Sequence, residues 1–171
     1  MSMRPSRLRW LFFQRINMSL EKATEYLKKY NLDGKIIIRE ESTATVEDAA
    51  IALHTEPARI AKTLSFSLSS PTLIVMAGDV KVDNHKYKEF FMKKAKMLSA
   101  EEVKTLVGHE IGGVCPFGVN DGVDIYLDIS LKRFATIFPA VGNAHSAIEL
   151  TPDELERVTN NKGWIDITKP Y

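Results

Sequence analysis

KTLSFSLSSPTLIVMAG, residues 62–78, is the stretch from which the fold can be read. Lys62 to Leu68 alternates polar and apolar side chains, the period of two that half-buries a strand. Ser69-Ser70-Pro71 supplies turn residues, and Thr72 to Ala77 is an unbroken apolar run closed by Gly78, the pattern of a strand covered on both faces. The spacing predicts an antiparallel hairpin at the centre of a sheet.

Working outward, the flanks carry helix and strand signals in irregular order. Upstream, Pro57 opens a short helical turn through Ala61, and Thr45 with Asp48 forms a capping-box-like pair for a helix through Leu53. Lys35 to Arg39 reads as a strand. Leu20, Ala23, Leu27 and Tyr30 recur at helical spacing behind Ser19 as N-cap, with Asn31 and Gly34 ending the pattern. Downstream, Asp83 caps a helix to about Lys94 that turns Tyr87, Phe90 and Phe91 inward. Ala95 to Leu98 is a short edge strand, and Ser99-Ala100-Glu101-Glu102 opens a helix that Gly108 stops. Asp124 to Ile129, Thr136 to Val141 and Ala147 to Leu150 read as strands, Thr151-Pro152-Asp153-Glu154 begins a last helix, and Trp164 to Thr168 closes the chain. This order is too irregular for a doubly wound sheet, and no repeat or linker divides it, so the reading is a single mixed α+β domain over residues 18–171.

Composition narrows the function classes. In 171 residues, 44% are apolar and 26% charged, and 23 basic side chains face 22 acidic ones. No global basic field exists of the kind that drives DNA binding, so any RNA contact must be local. One cysteine rules out an internal disulfide and suits a reducing cytoplasm. Residues 1–17 stand apart as a basic extension, with Arg4, Arg7, Arg9 and Arg15 and no acidic residue. Its apolar patch Trp10-Leu11-Phe12-Phe13 is too short for a membrane span or a secretory signal. Met18 reads as a second start, and the extension is expected to be flexible.

Chemistry points to Gly108-His109-Glu110-Ile111-Gly112-Gly113-Val114-Cys115-Pro116-Phe117-Gly118, where four glycines and a proline crowd eleven residues. Glycine lets the main chain approach a ligand or take positive φ, so Gly112, Gly113 and Val114 are candidates for a backbone anion site; a tight structural turn is the alternative. Pro116 biases Cys115 away from the helix N-terminus that would activate its thiol, which leaves a nucleophile or a buried structural thiol. His54, His85, His109 and His145 show no metal-ligand spacing, and no nucleotide-cradle motif occurs, so neither metal nor cofactor is implied. His145 lies in the small-residue loop Gly142-Asn143-Ala144-His145-Ser146, where it either borders a pocket or is exposed. Lys62, at a strand start, is either solvated or a point charge for phosphate.

Three segments in this order and spacing resemble the YbaK-type aminoacyl-tRNA deacylases, free-standing relatives of the editing domain inserted in bacterial prolyl-tRNA synthetases. These are Ile60-Ala61-Lys62-Thr63-Leu64, the loop Gly112 to Gly118 with the family's G-x-x-x-P at Gly112 and Pro116, and Val141-Gly142-Asn143 to Ile148-Glu149-Leu150. The resemblance covers about Met18 to Val158. It implies a mixed, mostly antiparallel, barrel-like sheet surrounded by helices. The implied reaction is hydrolysis of the ester joining a wrong amino acid to a tRNA, commonly tRNA for proline, without cofactor or protein nucleophile. Gly112, Gly113 and Val114 would supply oxyanion donors, Pro116 would hold their geometry, and Lys62 would contact phosphate or sugar near the 3′ end. Thr43 and Thr45 would shape the amino-acid pocket, with Phe117 and His145 at its mouth. Some members carry an acidic residue where this chain has Ala147, so the resemblance leaves alanine, serine or another small residue as open as cysteine for the amino acid removed. The implied partners are mischarged tRNA and an aminoacyl-tRNA synthetase, with no membrane and no DNA. A non-catalytic tRNA- or synthetase-binding module of the same fold is the alternative.

Overall fold

The computed structural model describes residues 7–171, with side chains from Met18 onward. The first helix, α1 (Arg7–Lys28), reaches into the basic leader; residues 1–6, the leader's side chains and the expectation of flexibility lie outside the described residues. Ser19 is therefore not an N-cap. It sits buried inside α1, and its hydroxyl donates to the carbonyl of Gly108 at 3.5 Å. Asn31, with φ 58°, turns the chain after the helix.

Next come β1 (Ile36–Ile38), α2 (Val46–Ala52), β2 (Ile60–Ser67), β3 (Pro71–Ala77) and β4 (Val80–Val82). After α3 (Asn84–Phe91) and α4 (Ala100–Glu102) follow β5 (Asp124–Asp128), β6 (Phe138–Pro139), β7 (Ser146–Ile148), α5 (Pro152–Val158), β8 (Trp164–Ile165) and β9 (Thr168–Pro170). Local chemistry sets most helix starts. Thr45 accepts from the N–H of Asp48, and Ser99 and Thr151 close full capping boxes with Glu102 and Glu154.

The expected hairpin is the spine of the sheet. β2 and β3 pair antiparallel from Ala61↔Ala77 to Ser67↔Pro71, within a five-stranded order β6-β2-β3-β5-β8. The three outer ladders of that sheet are parallel, so the sheet is mixed. β1 pairs antiparallel with β7, and the bridges Ile137↔Leu150 and Ala140↔Ala147 carry β7 onto the segment around β6. Ala49 and Ala50 of α2 share a hydrophobic cluster with Ile60 of β2, Phe138 of β6 and Ala147 of β7. β3 is buried along almost its whole length, as its apolar run requires, and Leu73 to Ala77 form the centre of the core.

Two details depart from expectation. Phe90 is half exposed, meeting Phe91 and Tyr126 edge-on, while Tyr87 alone on α3 is buried. The segment Ala95 to Leu98 forms only a bridge, Phe66↔Met97, pinned by hydrogen bonds from Ser67 to Lys96 and from Leu98 to Ser65.

Candidate active site

A cavity of about 310 Å³ opens where β2, the turn before α2, the glycine loop and β7 converge. β2 contributes Ala61 to Ser65, the turn contributes Thr43 and Thr45, the loop contributes Gly112 and Val114, and β7 contributes Ser146 and Ala147. Sites spread over the chain by more than a hundred residues thus share one wall. The loop Gly142 to His145 closes onto the turn through hydrogen bonds from Arg39 to the His145 carbonyl and from Thr43 to the Ala144 carbonyl.

The glycine loop owes its shape to close packing. Gly108, at φ 91°, ends the helical turn Val103–Val107, and Asn120 ties back to the carbonyls of Thr105, Leu106 and Val107. Gly113 donates to the carbonyl of Glu110 at 3.1 Å, closing a turn in which Gly112 holds φ 90°, a conformation that strains any other residue. A Cβ on Gly113 would lie 2.3 Å from Cα of Asn143, so only glycine lets the two loops touch backbone to backbone.

The turn also decides which amides are available. The N–H of Gly113 is engaged, which corrects its expected role as an anion donor: its contribution is the close approach. Among the described residues, the N–H groups of Gly112 and Val114 have no hydrogen-bond acceptor, and both residues line the cavity. Pro116 is buried outside the cavity, between Cys115 and Phe117.

His109 supports the loop from inside. Its Nδ1 accepts from the backbone N–H of Cys115 at 3.2 Å and lies 3.6 Å from the Cys115 sulfur. Burial pushes the imidazole down to about 4, outweighing the Gly118 and Phe117 carbonyls that favour the charged form. The neutral ring therefore carries its proton on Nε2. Burial also pushes the Cys115 thiol up to about 12, and the thiol lies outside the cavity. Of the two readings of Cys115, the structure supports the structural thiol.

Phe117 does not reach the mouth of the cavity. It is fully buried in the core beside Tyr26, ring centroids 6.4 Å apart, because its phenyl ring fills space under α1. His145 stands one residue outside the cavity wall, half-buried, with Nδ1 3.2 Å from the carbonyl of Glu41. Thr43 and Thr45 line the cavity. The hydroxyl oxygens of Thr43, Thr63 and Ser146 are buried without a hydrogen-bond partner among the described residues.

Lys62 also lines the cavity, but its ammonium is already held. Nζ donates to the carbonyls of Val80 and Gly78 and lies 3.3 Å from the hydroxyl of Tyr171. Three donors meet three acceptors, so a phosphate must displace one, and of these acceptors Tyr171 alone is a side chain.

Comparison with known proteins fits this geometry to a family. The model of the aminoacyl-tRNA editing domain matches residues 40–158, a span that holds the cavity wall from Thr43 to Ala147. The chain belongs to this family. The chain is 48% identical over 156 residues to the uncharacterized protein YwhH of Bacillus subtilis (strain 168), covering 90% of this chain and 99% of the relative. It is 28% identical over 125 residues to EbsC of Enterococcus faecalis (strain ATCC 700802 / V583), provisionally named a Cys-tRNA(Pro)/Cys-tRNA(Cys) deacylase, covering 71% of this chain and 76% of that one. A solved structure provisionally described as a trans-editing enzyme for prolyl tRNA synthetase superposes with TM-score 0.79 at 27% identity, over 88% of this chain and 97% of that one. Among the described residues, no helix is long and apolar enough to cross a membrane.

Sequence reasoning missed His109 as the pin of the loop and Tyr171 as a neighbour of Lys62. A histidine six residues before a cysteine carries no local signature. The tyrosine meets the lysine only through β9, a strand too short to read.

Proposed function

We propose that this editing domain is a trans-acting deacylase that hydrolyses the ester of a mischarged tRNA, a small amino acid on tRNA for proline. The observation that carries this reading is that Lys62, Gly112 and Val114 line one small cavity, with the amides of Gly112 and Val114 free among the described residues. The ester carbonyl lies over the loop, and water attack builds a tetrahedral oxyanion that the two amides stabilise; each such donor is worth about 10²–10³ in rate. Pro116 and His109 hold the loop in that geometry. Lys62 anchors phosphate or sugar of the terminal nucleotide, and a ribose hydroxyl of the substrate helps to position the water. Thr43 and Thr45 bound the aminoacyl side chain, with Ala147 in the same wall, and His145 borders the entrance. Such a reaction belongs in the cytoplasm, beside a synthetase.

The deciding experiment offers catalytic amounts of protein to alanyl-, seryl- and cysteinyl-tRNA for proline. Multiple-turnover release of at least one amino acid is expected, with loss in Lys62→Ala. A tRNA mobility shift that leaves every ester intact would replace the reading with a binding module.

A further inference from the structure

We infer that Tyr171, with Lys81 and Lys169, forms a docking platform for an RNA 3′ end, the terminal base stacked on the tyrosine ring and the phosphates of the last two nucleotides on the two lysines. This rests on the deacylase reading and assigns its nucleotide subsite.

Three observations converge on it. Tyr171 is 79% exposed, yet its hydroxyl lies 3.3 Å from Nζ of Lys62, a residue that lines the cavity. Nζ of Lys62 lies 5.1 Å from the ring centroid and Nζ of Lys81 5.9 Å, so the ring sits among cations. On the β4–β9 ladder, Lys81 is the direct partner of Lys169. Like charges in that relation repel, and both side chains are exposed. A sheet that keeps this pair beside an exposed aromatic ring has the charge and shape of a single-stranded RNA site, in which aromatic side chains stack bases and lysines follow the backbone. The ladder Val80↔Pro170 to Val82↔Thr168 fixes the platform to β4, whose Val80 carbonyl also holds Lys62.

The platform explains how Lys62 becomes available. When a base stacks on Tyr171, a phosphate or ribose oxygen takes the position of the tyrosine hydroxyl at the third donor of Lys62. The amino acid then points inward along β2 toward Gly112 and Val114.

The test is binding of an uncharged CCA-ended RNA minihelix, which contains no ester, by fluorescence anisotropy. Tyr171→Ala is expected to weaken binding about tenfold, and Tyr171→Phe and Tyr171→Trp to retain it. A minihelix abasic at its 3′-terminal position is expected to bind wild type and Tyr171→Ala alike. The double change Lys81→Ala, Lys169→Ala is expected to lower the salt slope by about 0.7 for each phosphate no longer neutralised. Equal affinity of wild type and Tyr171→Ala for the intact minihelix would overturn the platform. So would faster deacylation by Tyr171→Ala, which would make the tyrosine a lid. Normal binding without deacylation of any charged tRNA would leave the platform standing and remove the deacylase reading.

Discussion

The backbone N–H of Cys115 donates to Nδ1 of His109 across 3.2 Å, so the glycine loop closes around a buried neutral imidazole. That relationship ties the loop's shape to pH. The unfolded chain takes up a proton on this histidine near 6.5, whereas the folded chain resists until about 4. The unfolded state thus binds more protons between those values, and stability falls as pH drops through that window. Urea unfolding is expected to show about 2 kcal/mol less stability at pH 5 than at pH 7 from this group. His109→Ala is expected to remove this pH dependence while lowering stability at pH 7 by about 1–3 kcal/mol.

Cys115 is expected to be dispensable for chemistry. With its thiol pushed up to about 12 by burial, no useful thiolate exists near neutral pH. Cys115→Ala is expected to keep kcat within a few-fold, with a modest fall in Tm from the missing sulfur, in paired deacylation and thermal-melt measurements.

The two loop glycines are expected to fail differently. Gly113→Ala puts a Cβ 2.3 Å from Cα of Asn143, so the loops must part and both free amides shift. A fall in kcat of about 10²–10³ is expected. Gly112→Ala meets the Ala44 and Ala144 side chains at 3.2 and 3.4 Å and the Ala44 Cα at 3.7 Å, and its main cost is the φ of 90°. It is expected to lower stability by about 1–3 kcal/mol, read from denaturant midpoints.

Ala147 is expected to set pocket depth. Its methyl group belongs to the cavity wall between Ile37 on β1 and Ala140 beside β6. Ala147→Val adds two carbons and is expected to lower kcat/KM for the larger accepted amino acids relative to alanine by about tenfold or more, since each methylene is worth about 1–3 kcal/mol.

These expectations separate what the residues announce from what only the fold supplies. The hairpin around Ser69-Ser70-Pro71 and the caps at Thr45, Ser99 and Thr151 are legible because the decisive contacts are local. The parallel pairing of β3 with β5 joins residues some fifty positions apart, and nothing in either strand names its neighbour. The glycine loop shows the same limit at finer scale. Its composition signals a backbone site, but which amides remain free depends on the turn that Gly113 makes with Glu110. Phe117 adjoins the loop in sequence, yet burial under α1 decides its role. The link from Lys62 to Tyr171 spans most of the chain and has no local signal.

In the proposed reaction a backbone site, without a protein nucleophile, hydrolyses an aminoacyl-tRNA ester. Single-turnover release of amino acid from mischarged tRNA for proline, compared among wild type, Cys115→Ala and Lys62→Ala, tests it most directly. Release by wild type is expected at least about 10² above the spontaneous rate, with near-equal release by Cys115→Ala and a large loss in Lys62→Ala. No release by wild type, or release abolished in Cys115→Ala with the fold intact, would contradict it.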